Sequence, residues 1–253
     1  MAVAGAALAA TSVESANVVG YQKGTTVDGF NFIAAPFSTV GYNTTDIQQI
    51  KLSDDGAGAI GWGGEEFGIW EGGPSVVEGS SFLYYDPTMD PNGEAKDYYW
   101  GDDEGNPVSY SIAAGQGVVI GGSADLDMSV AGQVPAASGL AFTSVEGFNF
   151  TGNAFPEEID IQDIAISDDG AGAIGWGGEE FGIWEGGPSV VEGSSFLYYD
   201  PTMDPNGEAQ DYYWGDDEGN PVTYSIAGGQ GVVISCASDL AISIVAPYEA
   251  SAL

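Results

Sequence analysis

Apolar residues in this chain come in short runs, and Gly, Asp, Asn or Pro ends each run before it reaches helical length. The runs are Ala59–Trp62, Phe67–Glu71, Ser81–Tyr85, Asp97–Trp100, Val108–Ile112 and Gly117–Ile120. Short runs at intervals of roughly 8–12 residues, with turn chemistry between them, predict the strands of a sandwich or barrel. No window of about 11 residues carries the i, i+3, i+4, i+7 pattern of an amphipathic helix. Forty glycines and twelve prolines point the same way, because both residues are costly inside a helix. The predicted class is all-β. Ser15–Gln22, with a β-branched pair and an aromatic, predicts a first strand. Trp100–Val108 predicts a hairpin turning at Gly105 and Asn106, residues suited to positive φ. An Asp-Ile-Gln segment spans Asp46–Leu52 and again Asp160–Ile166, with Ile159, Ile161, Ile164 and Ile166 alternating in and before the second.

The runs are organised by a repeat. Ser53–Ile120 returns as Ser167–Ile234, and over its 68 positions only three differ: Lys96/Gln210, Ser109/Thr223 and Ala114/Gly228. The unit exceeds a solenoid repeat of roughly 20–50 residues and approaches a small domain in size. An earlier segment, Gly29–Phe37, matches Gly147–Phe155. Its larger offset places four extra residues in the first copy, around 38–45, where a surface loop tolerates length. The chain therefore reads as two tandem, nearly identical β-sandwich-like domains, jelly-roll or Ig-like. They span 15–134 and 140–253, joined by a linker at 135–139 and preceded by a leader at 1–14. The end of that leader's first stretch, Ala7-Leu8-Ala9, has the small-x-small form of a secretory cleavage site without the charged start. It is too short to span a bilayer, which takes about 20 apolar residues.

Charge narrows the partners. Thirty-eight acids face three lysines, with no arginine and no histidine, for a net charge of −35. Nucleic acids are excluded, since their phosphates are neutralised by Lys and Arg, and anionic membrane surfaces repel the chain. Yet 43% hydrophobic and 12% aromatic residues are too many for a disordered acidic tail. Acids must coat a folded body. A single cysteine, Cys236, offers no disulfide framework. Nucleophilic triads lack their histidine base, a zinc site built on His and Cys has one cysteine and no histidine to draw on, and phosphoryl transfer lacks a cationic clamp. Carboxylate chemistry of the glycosidase type remains open on composition alone.

Gly147-Phe-Asn-Phe-Thr-Gly-Asn-Ala-Phe155, Ile159-Asp160, Phe181-Gly-Ile-Trp184 and Gly229-Gln-Gly-Val-Val233 together resemble a module of secreted bacterial proteins with the order G-W-N-L-I-G-N-P-Y, I-D, P-G-Q-G-F-F-V. Ala154 stands where that module carries proline. The opening S-A-N-V-V-G-Y-Q is similar to the mature start of uncharacterised secreted proteins of verrucomicrobial-type bacteria. The resemblance implies an extracellular β-module at a bacterial cell surface and implies no chemistry.

Two sets of side chains are candidates for binding. Asp86, Asp90, Asn92, Glu94 and Asp97, repeated as Asp200, Asp204, Asn206, Glu208 and Asp211, offer hard oxygens at short spacing, as calcium requires. Solvated turn acids are the alternative reading. A second acidic cluster, Asp102–Asn106, falls one strand later and is expected at the opposite sheet end. The aromatic set is Trp62, Trp70, Tyr85, Tyr99 and Trp100, with counterparts Trp176, Trp184, Tyr199, Tyr213 and Trp214. Neighbours on a strand face opposite sides, so some rings should point outward and stack on sugars unless a loop covers them. Cross-strand packing is the alternative. The expected function is a secreted, non-enzymatic surface or matrix protein with a structural or adhesive role, assembling head-to-tail with itself into filaments. A glycan-binding module pair and a carboxylate glycosidase are the other readings. Calcium is the one cofactor suggested, and neither nucleic acid nor membrane insertion is expected.

Overall fold

The computed structural model describes residues 19–26, 29–40, 44–53, 66–69, 82–122, 126–135, 139–167, 180–183, 196–209, 211–236 and 239–248. The leader, the run Ala59–Trp62 and the tryptophans Trp62, Trp70, Trp176 and Trp184 lie outside them. The described residues are all-β. The first half contributes β1 (Val19–Thr25), β2 (Gly29–Ala34), β3 (Thr44–Asp46), β4 (Ile50–Leu52), β5 (Glu66–Ile69), β6 (Phe82–Tyr85), β7 (Tyr99–Gly101), β8 (Ser111–Ala113), β9 (Gly117–Gly122) and β10 (Asp127–Gln133). The second contributes β11 (Gly139–Thr143), β12 (Gly147–Gly152), β13 (Ile159–Asp160), β14 (Ile164–Ile166), β15 (Glu180–Ile183), β16 (Phe196–Tyr199), β17 (Tyr213–Gly215), β18 (Ser225–Ile226), β19 (Gly231–Cys236) and β20 (Ala241–Val245).

Each half has a five-stranded antiparallel sheet, β2-β9-β5-β6-β7 or β12-β19-β15-β16-β17. A three-stranded sheet, β1-β10-β4 or β11-β20-β14, and a two-stranded ladder, β3-β8 or β13-β18, accompany it. Side chains from all three share one core. In the first half Ile33, Ile50, Leu52, Tyr84, Trp100, Ile112, Val118, Ile120 and Val130 form it. In the second, Ile164, Ile166, Tyr198, Trp214, Ile226, Val232, Ile234 and Ile244 do so. The single cysteine, Cys236, is buried in that second core.

The Asp-Ile-Gln segments are not continuous strands. Ile47–Gln49 and Ile161–Asp163 are single 3-10 turns between short strands, capped by Asp46 and Asp160. The step of three between Ile161 and Ile164, set between two steps of two, is the turn. In the first-copy insertion Val40 is exposed as a surface loop should be, but the ends are tied down. Ser38 exchanges backbone hydrogen bonds with Gln133, and buried Thr45 donates its hydroxyl to the Phe37 carbonyl.

The two halves meet through like faces. β2 and β9 pack on β12 and β19, which occupy the same places in the other sheet. Phe32 and Phe150, equivalent residues, lie with ring centroids 4.5 Å apart. Ala34 N–H donates to Gly229 O at 2.9 Å, and Thr151 Oγ1 donates to Gly115 O, the counterpart carbonyl, at 2.6 Å. This arrangement has an approximate two-fold axis, so the expected head-to-tail packing of unlike faces does not occur within the chain. It also explains the unbroken apolar run in β9. Val118 and Ile120 enter the core while Val119, the register partner of Phe32, faces the junction. Strand edges β2 and β12 are covered there, which removes two edges that could recruit foreign strands.

Tyr248 packs against both cores and donates its hydroxyl to Pro135 O at 2.8 Å. Burial pushes its phenol up to about 12, helped by the charge of Glu157. Tyr248→Phe is expected to lose about 0.5–1.5 kcal/mol, the net value of one such hydrogen bond, as measured by urea unfolding. Tyr248→Ala should lose more, because the ring contact with Phe155 goes too.

Candidate functional site

The loop between β6 and β7 begins where Asp86 caps the 3-10 turn Pro87–Met89, its carboxylate accepting from Thr88 N at 2.7 Å. Asp90 then organises the rest. Its Oδ1 accepts from Asn92 N at 2.9 Å, and its Oδ2 accepts from Glu94 N and Ala95 N, both at 2.7 Å. Gly93 turns the chain at φ 66°. These backbone donors, Ala95 foremost, hold the Asp90 carboxyl below the usual carboxylate range against its partial desolvation. Asp97 accepts from Tyr98 N. The second-half loop repeats the arrangement, with Asp204 accepting from Asn206, Glu208 and Ala209, Asp200 capping Thr202 and Asp211 accepting from Tyr212 N.

The hairpin after β7 uses the same device. Asp102 Oδ1 accepts from Glu104 N and Asn106 N, and the Asn106 amide reaches both its oxygens. That amide is the main reason its carboxyl is lowered. Gly105 supplies φ 84° at the turn, and Val108 N closes the hairpin on Trp100 O. Asp216 and Asn220 repeat this in the second half. A carboxylate accepting two or three N–H bonds is already solvated by its own loop. Among the described residues no three acids or cysteines come together as a group that could hold a metal ion. The calcium candidates are thus brought near one another along the loop, with their best-placed oxygens directed at backbone N–H groups.

β6 and β7 pair as Tyr85↔Tyr99 and Leu83↔Gly101, which sets the two acidic loops at opposite strand ends as expected. The strands are short enough for tyrosine to bridge them. Tyr85 and Tyr99 stack at 5.7 Å; Tyr85 donates to Asp102 O and Tyr99 to Gly105 O. Burial, then the charges of Asp90 and other acids from both loops, push the Tyr99 phenol up to about 12. Tyr213 repeats this and is also pushed up to about 12. Rather than separate sites, the loops form one braced unit per half.

The aromatic candidates are the brace and the core. Tyr85, Tyr99, Trp100, Tyr199, Tyr213 and Trp214 are all at most 5% exposed. Trp100 donates its indole N–H to Ile50 O at 2.8 Å and packs on Tyr84. Alternation does send Tyr84 to the core and Tyr85 to the other side, but the 101–107 hairpin folds over Tyr85. These six rings therefore offer no face to a sugar. Gln48 and Gln162 were missed by sequence reasoning. Each holds a tryptophan strand in place, donating to Trp100 O and Val108 O, or to Trp214 O and Val222 O. Their signal was the repeated Asp-Ile-Gln, noted above only for its alternating isoleucines. Lys51, half-buried, donates to Tyr98 O at 2.6 Å, and burial lowers its ammonium pKa despite Asp97 nearby.

No family model matches the chain, and no curated protein and no solved structure is similar to it. No helix among the described residues is long and apolar enough to cross a membrane.

Proposed function

We infer that the chain is a secreted, non-enzymatic protein of a bacterial cell surface or extracellular matrix, with a structural or adhesive role. One observation carries this reading: among the described residues, the candidate side chains are spent on architecture. Asp90, Asp102, Asp204 and Asp216 fold their own loops, and Tyr85, Tyr99, Trp100 and their counterparts fill cores or brace those loops. What remains outward is a dense coat of carboxylates on a β-scaffold, which favours solubility and repels anionic surfaces. The resemblance of Gly147–Phe155 and the S-A-N-V-V-G-Y-Q start to secreted modules supports the location. The like-on-like junction gives no head-to-tail repeat, so the proposed role belongs to the paired halves as a unit and a filament would need another surface.

Immunogold labelling of intact producing cells, together with fractionation, tests the location, and loss of cell adhesion or envelope integrity on gene deletion tests the role. Label confined to the cell interior would sink the proposal. Turnover of a glycoside by the purified chain would replace it with an enzyme.

A further inference from the structure

The junction between the halves is built from reciprocal contacts. A Cβ on Gly231 would lie 2.8 Å from Phe32 C and 2.9 Å from Ile33 N. A Cβ on its counterpart Gly117 would lie 2.9 Å from Phe150 C and 3.0 Å from Thr151 N. Both glycines thus admit the other half's backbone at a separation no side chain allows. Gln22 adds a side-chain hydrogen bond from β1 to Gly228 O. Nothing in these contacts depends on the two halves belonging to one molecule.

We propose that this face is a docking surface for the complementary half of a second copy of the chain, so that two chains exchange halves into a closed dimer. The partner is specified by a size match. Ala34 sits opposite Gly152, where an added Cβ would come within 2.8 Å of the Ala34 methyl. Two first halves brought together in the same way would set two Ala34 methyls at that separation. Unlike halves therefore pair and first halves do not, which favours a two-chain closed exchange over an open series of like contacts. Within one chain, the short connection from Gln133 to Gly139 gives the partner half an effective concentration on the order of millimolar. Exchange is expected when the halves come together at comparable protein concentration.

The test is refolding of the full chain from denaturant at low micromolar and at near-millimolar concentration, followed by chromatography with light scattering at equal final dilution. A species of twice the chain mass, with unchanged circular dichroism and a yield rising roughly in proportion to refolding concentration, is the expected result. Gly231→Val should abolish it and give a monomer more extended in solution scattering. If Gly231→Val does not fold, the variant Phe32→Cys, Phe150→Cys, Cys236→Ser decides, since oxidation can join these facing positions across the junction, where the ring centroids lie 4.5 Å apart. A covalent dimer on denaturing gels of the dimer fraction supports exchange, and covalently closed monomers from that fraction place the dimer elsewhere and overturn it. Monomer alone from near-millimolar refolding overturns it as well, as does a ladder of larger species without a dimer.

Discussion

Replacing Trp100 by alanine should destabilise the first half by about 3–5 kcal/mol, the range for truncating a buried tryptophan. The ring is fully buried, contacts Tyr84 at 4.8 Å between centroids, and donates its N–H to Ile50 O. Truncation leaves a cavity and an unpaired buried carbonyl together. Trp214→Ala should behave alike in the second half, where the indole donates to Ile164 O at 2.8 Å. For units of this size the melting temperature should drop by roughly 10–20 °C. Trp100→Phe separates the two contributions, because it fills much of the space but leaves the carbonyl unpaired. Calorimetry or urea unfolding gives the answer, and a loss below about 1 kcal/mol would mean that the ring is not the centre of a packed core.

The second large effect is acid unfolding. Asp86, Asp90 and Asp102, with Asp200, Asp204 and Asp216, all have carboxyl groups held below their ordinary pKa by hydrogen bonds within their loops. Above the unfolded value of about 3.9 such groups are ionised in both states, and their stabilisation is complete. As the pH falls through the lower folded values, the loops must break or accept protons, and the contribution is lost. Stability should therefore fall steeply below about pH 4. Neutralising part of the −35 charge acts in the opposite direction, since it relieves self-repulsion. The double variant Asp90→Asn, Asp204→Asn should be less stable at neutral pH and show a shallower acid slope. An amide offers one acceptor oxygen where the carboxylate uses two. Urea midpoints measured in pH steps decide, and an acid profile unchanged in the double variant contradicts the role given to these groups.

The class and most strand positions were legible in the sequence because short apolar runs and turn residues act locally. Phe82–Tyr85 and Gly117–Gly122 fall almost where the pattern put them. Other boundaries moved for identifiable reasons. The first strand, described from Val19, runs on to Thr25 beyond the expected end at Gln22, because its pairing with β10 continues to Asp127, while 15–18 lie outside the described residues. Asp97 and Tyr98 drop out of β7, as Asp97 spends its carboxylate on the Tyr98 N–H. The 3-10 turn at Ile47–Gln49 hid in a nearly alternating pattern.

The candidate sites were harder to read, because alternation gives two faces of a strand but not what covers them. Tyr85 and Tyr99 do face away from the Tyr84 and Trp100 core, and the hairpin that follows β7 then closes over them. Acid spacing similarly shows where oxygens are available, and it does not show that Glu94 N and Ala95 N will claim Asp90 first. The like-on-like junction rests on contacts between residues of different halves, for which the repeat gave no orientation.

The account holds that, among the described residues, the loop aspartates fold their own loops and carry charge, with their carboxylates turned to backbone N–H groups. Each long repeat holds thirteen acids, so screening should relieve repulsion and raise the melting temperature. The direct measurement is the melting temperature in calcium chloride against sodium chloride at matched ionic strength, from chelator upward. Equal rises in the two salts are predicted. A rise with low millimolar calcium that sodium at matched ionic strength does not reproduce would contradict the account.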